Sequence, residues 1–219
     1  MRPVLASAAW VWYAATCTPA GATEAGAMLA AQGNANGAVA CATCHGPRGE
    51  GNAAAGFPRL AELGKGYIER QLEAFASGQR QSPVMVPIAK ALQPAERTAA
   101  ANYYAGLPYP GPFTRASDAP SAGAVLAQEG RWANGLLPAC VQCHGPDGVG
   151  VGDAFPPLVG QSASYIAEQL RAWQQGTRPP GPLNLMQAVA TKLSPAEVDA
   201  VAQYFGGMKR TDATSKEKR

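Results

Sequence analysis

The sequence predicts an all-α protein made of two tandem homologous domains, and three observations lead to this prediction. First, segments of the first half of the chain recur 97 to 101 positions later in the second half. Second, apolar residues recur at helical spacing, and no segment has a convincing strand alternation. Third, each half contains one copy of a five-residue motif of cysteines and a histidine. The first domain is predicted over residues 23–107 and the second over residues 121–208.

The repeat extends well beyond the five-residue motif. The segment 26–33 matches 123–130, and the segment 57–60, Phe-Pro-Arg-Leu, matches Phe-Pro-Pro-Leu at 155–158. Tyr-Ile-x-x-Gln-Leu occurs in both halves, starting at Tyr67 and at Tyr165. Several segments thus match at a nearly constant offset along the whole of each half. This indicates duplication of a whole domain, because a single repeated motif or helix would match over a short segment only.

Three helices are predicted in each domain. The first covers about 24–33 and 121–130, and the second about 65–77 and 163–175. The third begins at Pro94 and Pro195, since proline is favoured at the first helical position. The middle helices carry one apolar face, which is predicted to line the core: Tyr67, Ile68, Leu72 and Phe75 in one copy, and Tyr165, Ile166, Leu170 and Trp173 in the other.

The duplicated motif is Cys-x-x-Cys-His, at Cys41, Cys44 and His45 and again at Cys140, Cys143 and His144. Two cysteines at this spacing can each form a thioether with one vinyl group of a porphyrin, and the next histidine can then bind the iron. The alternatives are an all-thiolate zinc site or two dithiol redox motifs. Neither alternative explains why both histidines of the chain directly follow a cysteine pair. The motifs therefore predict two covalently bound haems c.

A methionine thioether is a usual sixth ligand of an electron-transferring haem iron. The chain has five methionines, and only Met85 and Met186 occupy matching positions in the two halves. Both lie in segments rich in proline, which we expect to be loops. Met28 and Met208 match Val125 and Leu107, so they are predicted to be core residues. Met85 and Met186 are therefore predicted to bind the two irons together with His45 and His144.

The two ends of the chain and the segment between the domains differ in composition from the two predicted domains. Residues 1–22 have the pattern of a signal peptide, with Arg2, a short apolar run and a small-x-small cleavage pattern at 20–22, so Cys17 would be removed with it. Residues 108–120 are predicted to be a proline-rich linker that suits a fixed pair of domains. Residues 209–219 form a polar tail, predicted to be disordered. We expect an exported, periplasmic protein that could associate with the membrane.

The residues from 24 to 208 resemble a two-domain cytochrome c of the cytochrome c4 family. The resemblance rests on the two Cys-x-x-Cys-His-Gly-Pro motifs, the Phe-Pro-x-Leu segments, the Tyr-Ile-x-x-Gln-Leu helices and the matching methionines. It implies two tandem class I cytochrome c domains, each wrapped around one covalent haem c, with the first and last helices crossing beside the haem. It also implies that the regions of Pro58 and Pro156 supply the carbonyls that accept a hydrogen bond from the histidines.

The predicted function is outer-sphere electron transfer by a periplasmic dihaem protein of the respiratory chain, and not catalysis. The favoured hypothesis is a carrier between a membrane quinol-oxidising complex and a terminal oxidase. The alternative is the electron-accepting subunit of a dehydrogenase, such as a flavoprotein sulfide dehydrogenase. A dihaem enzyme is disfavoured because both irons have two predicted axial ligands. A net charge of only +3 without a basic patch argues against a nucleic-acid partner. No run approaches the ~20 apolar residues of a membrane-spanning helix.

Overall fold

The computed structural model describes residues 20–108, 113–114, 121–133 and 135–210. Within them, five helices in the first half are followed by five in the second, in the same order. The helices are α1 (Ala20–Gln32), α2 (Ala42–His45), α3 (Lys65–Ala76), α4 (Met85–Ala91), α5 (Pro94–Gly106), α6 (Ala122–Gln128), α7 (Cys140–His144), α8 (Ala163–Gln174), α9 (Leu185–Ala190) and α10 (Pro195–Gly206). The predicted all-α fold and its duplication are confirmed.

The first and last helices of each domain pack against each other at a glycine. A Cβ atom on Gly26 of α1 would lie 2.3 Å from the carbonyl oxygen of Ala99 in α5. A Cβ atom on Gly123 of α6 would lie 2.1 Å from the carbonyl oxygen of Ala200 in α10. Real side chains do not approach so closely, so only glycine permits this contact between the two helix backbones. The crossing implied by the family resemblance is therefore present in both domains.

Each domain has its own apolar core. The first core includes Leu29, Ile68, Leu72, Phe75 and Tyr104, and the second includes Leu126, Ile166, Leu170, Val201 and Phe205. The apolar faces predicted for the middle helices thus point inward, and Trp173 packs at the edge of the second core. No buried cluster includes residues of both halves among the described residues. The two domains are therefore two separately packed units.

The junction between the domains is polar and closely packed. The backbone N–H of Arg59 donates to Gln161 Oε1 at 3.0 Å, and Gln161 Nε2 donates to the Arg59 carbonyl at 3.1 Å. Arg70 Nη2 donates to the carbonyl of Asp153 at 2.6 Å. A Cβ atom on Gly64 would lie 2.8 Å from the carbonyl oxygen of Gly152, so glycine is needed for this approach of the domains. Direct hydrogen bonds thus join the two units.

Two features differ from the sequence-based expectations. Phe113–Thr114 (β1) pairs antiparallel with Lys209–Arg210 (β2), so the predicted polar tail begins with a short strand that pairs with the predicted linker. The reason is that backbone N–H and C=O groups pair regardless of side-chain composition. Met28, predicted to be in the core, is 57% exposed, because its position on α1 faces away from α5.

The prediction for the N-terminus lies mostly outside the described residues. Residues 1–19 of the predicted signal peptide, including Cys17, lie outside the described residues. The described part begins with α1 at Ala20, two residues before the predicted cleavage after Ala22. Most of the linker, residues 109–112 and 115–120, and the tail from residue 211 also fall outside. Among the helices that the structure describes, none is long and apolar enough to cross a membrane.

Candidate functional site

The cysteines and the histidine of each motif are brought together by a single turn of helix. In the first domain, the N–H of His45 donates to the carbonyl of Cys41 at 2.9 Å, which closes the turn. In the second domain, α7 runs from Cys140 to His144. Glycines in the left-handed region follow both helices, at Gly46 with φ 80° and Gly145 with φ 76°. The chain therefore turns away directly after each histidine.

Each histidine ring is buried and fixed by one backbone carbonyl. His45 Nδ1 lies 2.8 Å from the carbonyl oxygen of Pro58, and His144 Nδ1 lies 2.7 Å from that of Pro156. This confirms the expectation for the two proline regions. Because the carbonyl oxygen can only accept, Nδ1 is the protonated nitrogen and Nε2 carries the free electron pair.

Burial lowers the pKa of both histidines more than the carbonyl contacts at Nδ1 raise it. The rings are therefore neutral at neutral pH, as a metal ligand must be. His144 Nε2 is buried and has no hydrogen-bond partner among the described residues. A buried polar atom without a partner is costly, and coordination to an iron would satisfy it. The second site thus fits haem iron on the observed geometry.

The four cysteine side chains are free thiols and are partly exposed. Cys41 packs at the edge of the first core and Cys140 at the edge of the second. Burial raises the pKa of the Cys41 thiol, and it raises that of Cys140 to about 11. Thiols in such surroundings are poor thiolates, which disfavours the dithiol redox hypothesis, because that chemistry needs a depressed pKa.

Cys41 and Cys140 pack on separate cores, so the structure does not bring the two thiol pairs into one zinc site. Within the described residues there is also no cluster of three or more His, Cys, Asp and Glu side chains that could hold a metal ion. A thiol pair followed directly by a neutral histidine is the arrangement that covalent attachment of haem uses.

Met85 and Met186 pack on the same cores as the cysteines. Met85 contacts the first core together with Cys41, and Met186 contacts the second together with Cys140. Each thioether thus belongs to the same domain core as the first cysteine of the motif. A soft thioether and an imidazole form a donor set suited to a low-spin haem iron.

The expectation that both methionines lie in loops was wrong, since each stands at the start of a helix. Met85 is the first residue of α4, and its N–H donates to Ser82 Oγ at 3.0 Å. Pro87 follows within the first turn, where no N–H is needed, so proline does not prevent the helix. Met186 is the second residue of α9 and follows a 3-10 turn at Pro182–Asn184.

Sequence reasoning missed the polar side chains at the domain junction. Tyr67 and Tyr165 were predicted to be core residues, yet each hydroxyl accepts a hydrogen bond from an arginine of the other domain. The arginines are Arg80 and Arg178, and both are buried. The repeat contained a signal, because the two arginines occupy matching positions, but the helical pattern gave no reason to bury them.

Helical domains built around a Cys-x-x-Cys-His turn, a carbonyl-bonded histidine and a methionine on one core define a c-type cytochrome. Comparison with known proteins agrees with this class. The family described as "Cytochrome c" matches residues 24–107. The family described as "Cytochrome C oxidase, cbb3-type, subunit III" matches residues 125–205. The second match concerns one cytochrome c domain only and does not make the chain an oxidase subunit.

The chain belongs to the cytochrome c4 family of dihaem electron-transfer proteins. It is similar to reduced cytochrome c4 from Pseudomonas stutzeri, with 32% identity, a TM-score of 0.73, and coverage of 85% of this chain and 98% of the other. It is 49% identical to the thiosulfate dehydrogenase electron acceptor of Stutzerimonas stutzeri (strain A1501), over 85% of this chain and 88% of that protein.

A third relative is a larger protein. The structure of thiosulfate dehydrogenase (TsdBA) from Marichromatium purpuratum is similar to this protein, with 46% sequence identity and a TM-score of 0.78. The match covers 85% of this chain and 40% of the other. The remaining part of that protein has no counterpart in the match.

Proposed function

We propose that the chain binds two haems c, one in each domain. Cys41 and Cys44 would attach the first haem, with His45 and Met85 as iron ligands. Cys140 and Cys143 would attach the second, with His144 and Met186. The support is that the first cysteine of each motif packs on the same core as the methionine of its domain, and that His144 Nε2 is buried without a partner among the described residues. We propose further that the mature domains cover residues 23–107 and 121–208.

When bound, haem supplies reversible one-electron chemistry, with iron alternating between the ferric and ferrous states. The residues of the chain set the conditions for it. The Pro58 and Pro156 carbonyls fix the tautomer and the orientation of the two imidazoles. The thioethers of Met85 and Met186 favour the ferrous state, and the apolar cores keep water away from the ligands. The chain thus moves electrons and offers no open coordination position to a substrate.

We propose that the electrons come from a thiosulfate dehydrogenase. The observation that supports this donor is the 49% identity over 88% of a thiosulfate dehydrogenase electron acceptor. The thiosulfate dehydrogenase (TsdBA) of Marichromatium purpuratum also contains a region similar to this protein. Of the alternatives named from the sequence, a dehydrogenase subunit is therefore favoured, with thiosulfate in place of sulfide as the substrate of the partner. Export to the periplasm, with cleavage of residues 1–22, is part of this proposal.

The proposal is tested by mixing the oxidised holoprotein with a purified thiosulfate dehydrogenase and thiosulfate. We expect reduction of both haems, followed as growth of the ferrous absorption bands, and no reduction when the dehydrogenase is omitted. A Met28→Leu variant is the control and should be reduced like the wild type, because this side chain is exposed and belongs to neither core. A dehydrogenase that turns over with an artificial acceptor but leaves this protein oxidised contradicts the proposal.

A second candidate is a free carrier that delivers electrons to a terminal oxidase. It is favoured by the match to cytochrome c4 over 98% of that chain. The two functions differ in what the protein associates with, so purification from its own cells separates them. Co-purification with a dehydrogenase at a fixed ratio favours the acceptor subunit, and a free cytochrome that an oxidase preparation oxidises rapidly favours the carrier.

A further inference from the structure

The second domain is longer than the first at two places, and both places adjoin proposed haem ligands. The offset between the repeats grows from 97 at Gly130 to 99 at Cys140, so two residues are added before the motif. It grows again from 98 at Arg178 to 101 at Met186, so three residues are added before the methionine. The second domain thus has two added loops that the first domain lacks.

The first added loop, residues 132–136, exposes two large apolar side chains. Arg131 and Leu137 close it at its base, since the N–H of each donates to the carbonyl of the other at 2.8 Å. Trp132 is 59% exposed, and its indole N–H already donates to the carbonyl of Glu129 at 2.9 Å. Leu136 is also 59% exposed. The described side chains of this loop therefore offer an apolar surface to solvent.

The second added loop lies before Met186 and exposes a leucine in an unfavourable conformation. Leu183 is 88% exposed and has φ 55°, in the left-handed region that disfavours residues with a side chain. Ser82 stands at the matching position of the first domain, three residues before its methionine. Leu185, directly before Met186, is exposed as well. Because Leu183 gains little packing within this chain, its strain and its exposure together indicate a contact outside the chain.

Both loops border α9, the short helix that carries Met186. The second loop leads directly into Leu185, the first residue of α9. The first loop is joined to the residues just past the end of α9, because Lys192 Nζ donates to the carbonyl of Leu136 at 2.6 Å. A helix of 6 residues is only ~9 Å long, so the two loops lie close to the same ligand. The apolar border of α9 is formed by four exposed side chains: Trp132, Leu136, Leu183 and Leu185.

The apolar border of α9 lies in segments without charged side chains. Residues 132–146 and 179–191 contain no Asp, Glu, Lys or Arg. The charged groups that flank these segments are engaged within the domain, since Arg131 forms an ion pair with Glu197 at 2.8 Å and Lys192 donates to the Leu136 carbonyl. A strongly acidic or basic partner face would find little opposite charge here, whereas an uncharged apolar face would bury these side chains.

We propose that the thiosulfate dehydrogenase docks on the apolar border of α9 through an uncharged apolar face of its own. This inference rests on the proposed function and adds where the donor binds. Electron transfer needs a short distance between two redox centres, so a donor seated beside Met186 would reduce the second haem first. One electron leaves the dehydrogenase, which is oxidised, and reduces the ferric second haem, with no bond made or broken.

The test measures how fast a purified thiosulfate dehydrogenase with thiosulfate reduces the oxidised holoprotein, at concentrations far below saturation. Leu183→Ser and Leu136→Ser each remove one apolar side chain, and Ser is the residue that the first domain has in place of Leu183. We expect each variant to lower the second-order rate constant about tenfold, because burial of an exposed leucine in an interface is strong enough for such a factor. Reduction by ascorbate needs no docking and should stay within about twofold of the wild type.

Val84→Ser and Val39→Ser are the matched controls. Both side chains are exposed, and they lie one and two residues before Met85 and Cys41 of the first domain. We expect both to keep the rate constant within about twofold of the wild type, because surface changes away from a contact have small effects. Haem content and the ferric sulfur-to-iron absorption band are recorded for every variant. If Leu183→Ser weakens that band, it has disturbed the ligand segment, and Leu136→Ser in the other loop decides the test.

Ionic strength gives a second readout. Charges that steer docking make association fall steeply with added salt, whereas apolar contacts do not. We expect the wild-type rate constant to change less than about threefold between about 20 and about 200 mM salt. A steep fall would show that charged groups guide docking, and it overturns the apolar border of α9 as the docking surface.

The remaining outcomes separate this surface from the proposed function. A wild type that is reduced no faster than both leucine variants overturns the docking surface alone. Self-association of the wild type that Leu183→Ser abolishes also overturns it, because the surface would then join copies of this chain. A wild type that a working dehydrogenase leaves oxidised contradicts the proposed donor itself, and with it the assignment of this surface to that donor.

Discussion

Methionine side chains in this protein differ in their surroundings, and this separates the proposed iron ligands from the others. Met85 and Met186 are partly buried at the edges of the two cores, Met208 is a fully buried member of the second core at 2% exposed, and Met28 is 57% exposed. We expect Met85→Ala and Met186→Ala each to remove about half of the weak sulfur-to-iron band at the red end of the ferric spectrum. Each should also lower one midpoint potential, because a harder replacement ligand no longer favours ferrous iron.

Met208→Leu and Met28→Leu are the controls for these variants. Met208→Leu conserves volume in a buried position and should cost less than about 1.5 kcal/mol of unfolding free energy. Met28→Leu should cost less than about 0.5 kcal/mol, because its side chain is exposed. Neither should alter the band. A band that survives in Met85→Ala or Met186→Ala and disappears in a control would show that the ligands are assigned wrongly.

A tyrosine in the first domain replaces a phenylalanine of the second. Tyr104 and Phe205 are both buried, and each packs edge-on against the tyrosine before it. The Tyr104 hydroxyl is buried, and no oxygen or nitrogen atom among the described residues pairs with it. Its neighbour is the Cys41 thiol, which would become a thioether on haem attachment, and a thioether is only a weak acceptor. The buried hydroxyl therefore lowers the stability of the first domain, and Phe205 has no such group in the second.

We expect Tyr104→Phe to stabilise the holoprotein by about 1 kcal/mol, because it removes a buried, unsatisfied hydroxyl and keeps the ring. The reverse change, Phe205→Tyr, is the matched control and should destabilise by about 1–3 kcal/mol. Both are measured as changes in the free energy of thermal unfolding. Destabilisation by Tyr104→Phe would mean that the hydroxyl has a partner in the folded holoprotein.

At the scale of elements, the two methionine segments have different backbones. Before Met85, Val84 has an ordinary helical conformation with φ −91° and ψ −52°. Before Met186, Leu183 and Asn184 are both in the left-handed region, with φ 55° and 56°. A left-handed conformation costs a residue other than glycine roughly 1–2 kcal/mol, and leucine gains no local hydrogen bond from it. The second segment therefore stores strain that the first lacks.

We expect glycine to be tolerated at position 183 and valine not to be. Leu183→Gly relieves the strain and, after the entropy that glycine loses on folding, should change the unfolding free energy by less than about 1 kcal/mol. Leu183→Val should destabilise by more than about 1 kcal/mol, since a β-branched residue is poorly accommodated there. Val84→Gly is the control and should destabilise by about 0.5–1 kcal/mol. Equal changes in the unfolding free energy for Leu183→Gly and Leu183→Val would show that the backbone at position 183 is not strained.

Helix positions could be predicted well because proline and capping residues mark where α5 and α10 begin, and because apolar spacing marks the inner faces of α3 and α8. The histidine contacts followed from the resemblance. The burial of Arg80 and Arg178 could not be predicted, because it depends on how two domains meet and not on local pattern. The start of α4 at Met85 was missed because prolines around it indicated a loop, whereas Ser82 Oγ accepts a hydrogen bond from the N–H of Met85, the first residue of the helix.

At the scale of the whole molecule, two separate cores are joined by polar contacts. Loss of one haem should therefore leave the other domain folded. We expect Cys41→Ala with Cys44→Ala to lower the haem content from two to one and to leave the ferrous bands of the second haem in place. The measurement is absorption per chain, with Cys140→Ala and Cys143→Ala as the matched pair. Loss of both haems in either double variant would contradict independent cores.

The proposed electron transfer requires that both Cys-x-x-Cys-His motifs carry a covalent haem. The most direct measurement is a pyridine haemochrome assay of the mature protein, made after acid-acetone extraction and set against the protein concentration. We expect two haems per chain, all of them retained with the polypeptide. A value of one haem per chain, or colour that passes into the acetone, would contradict it.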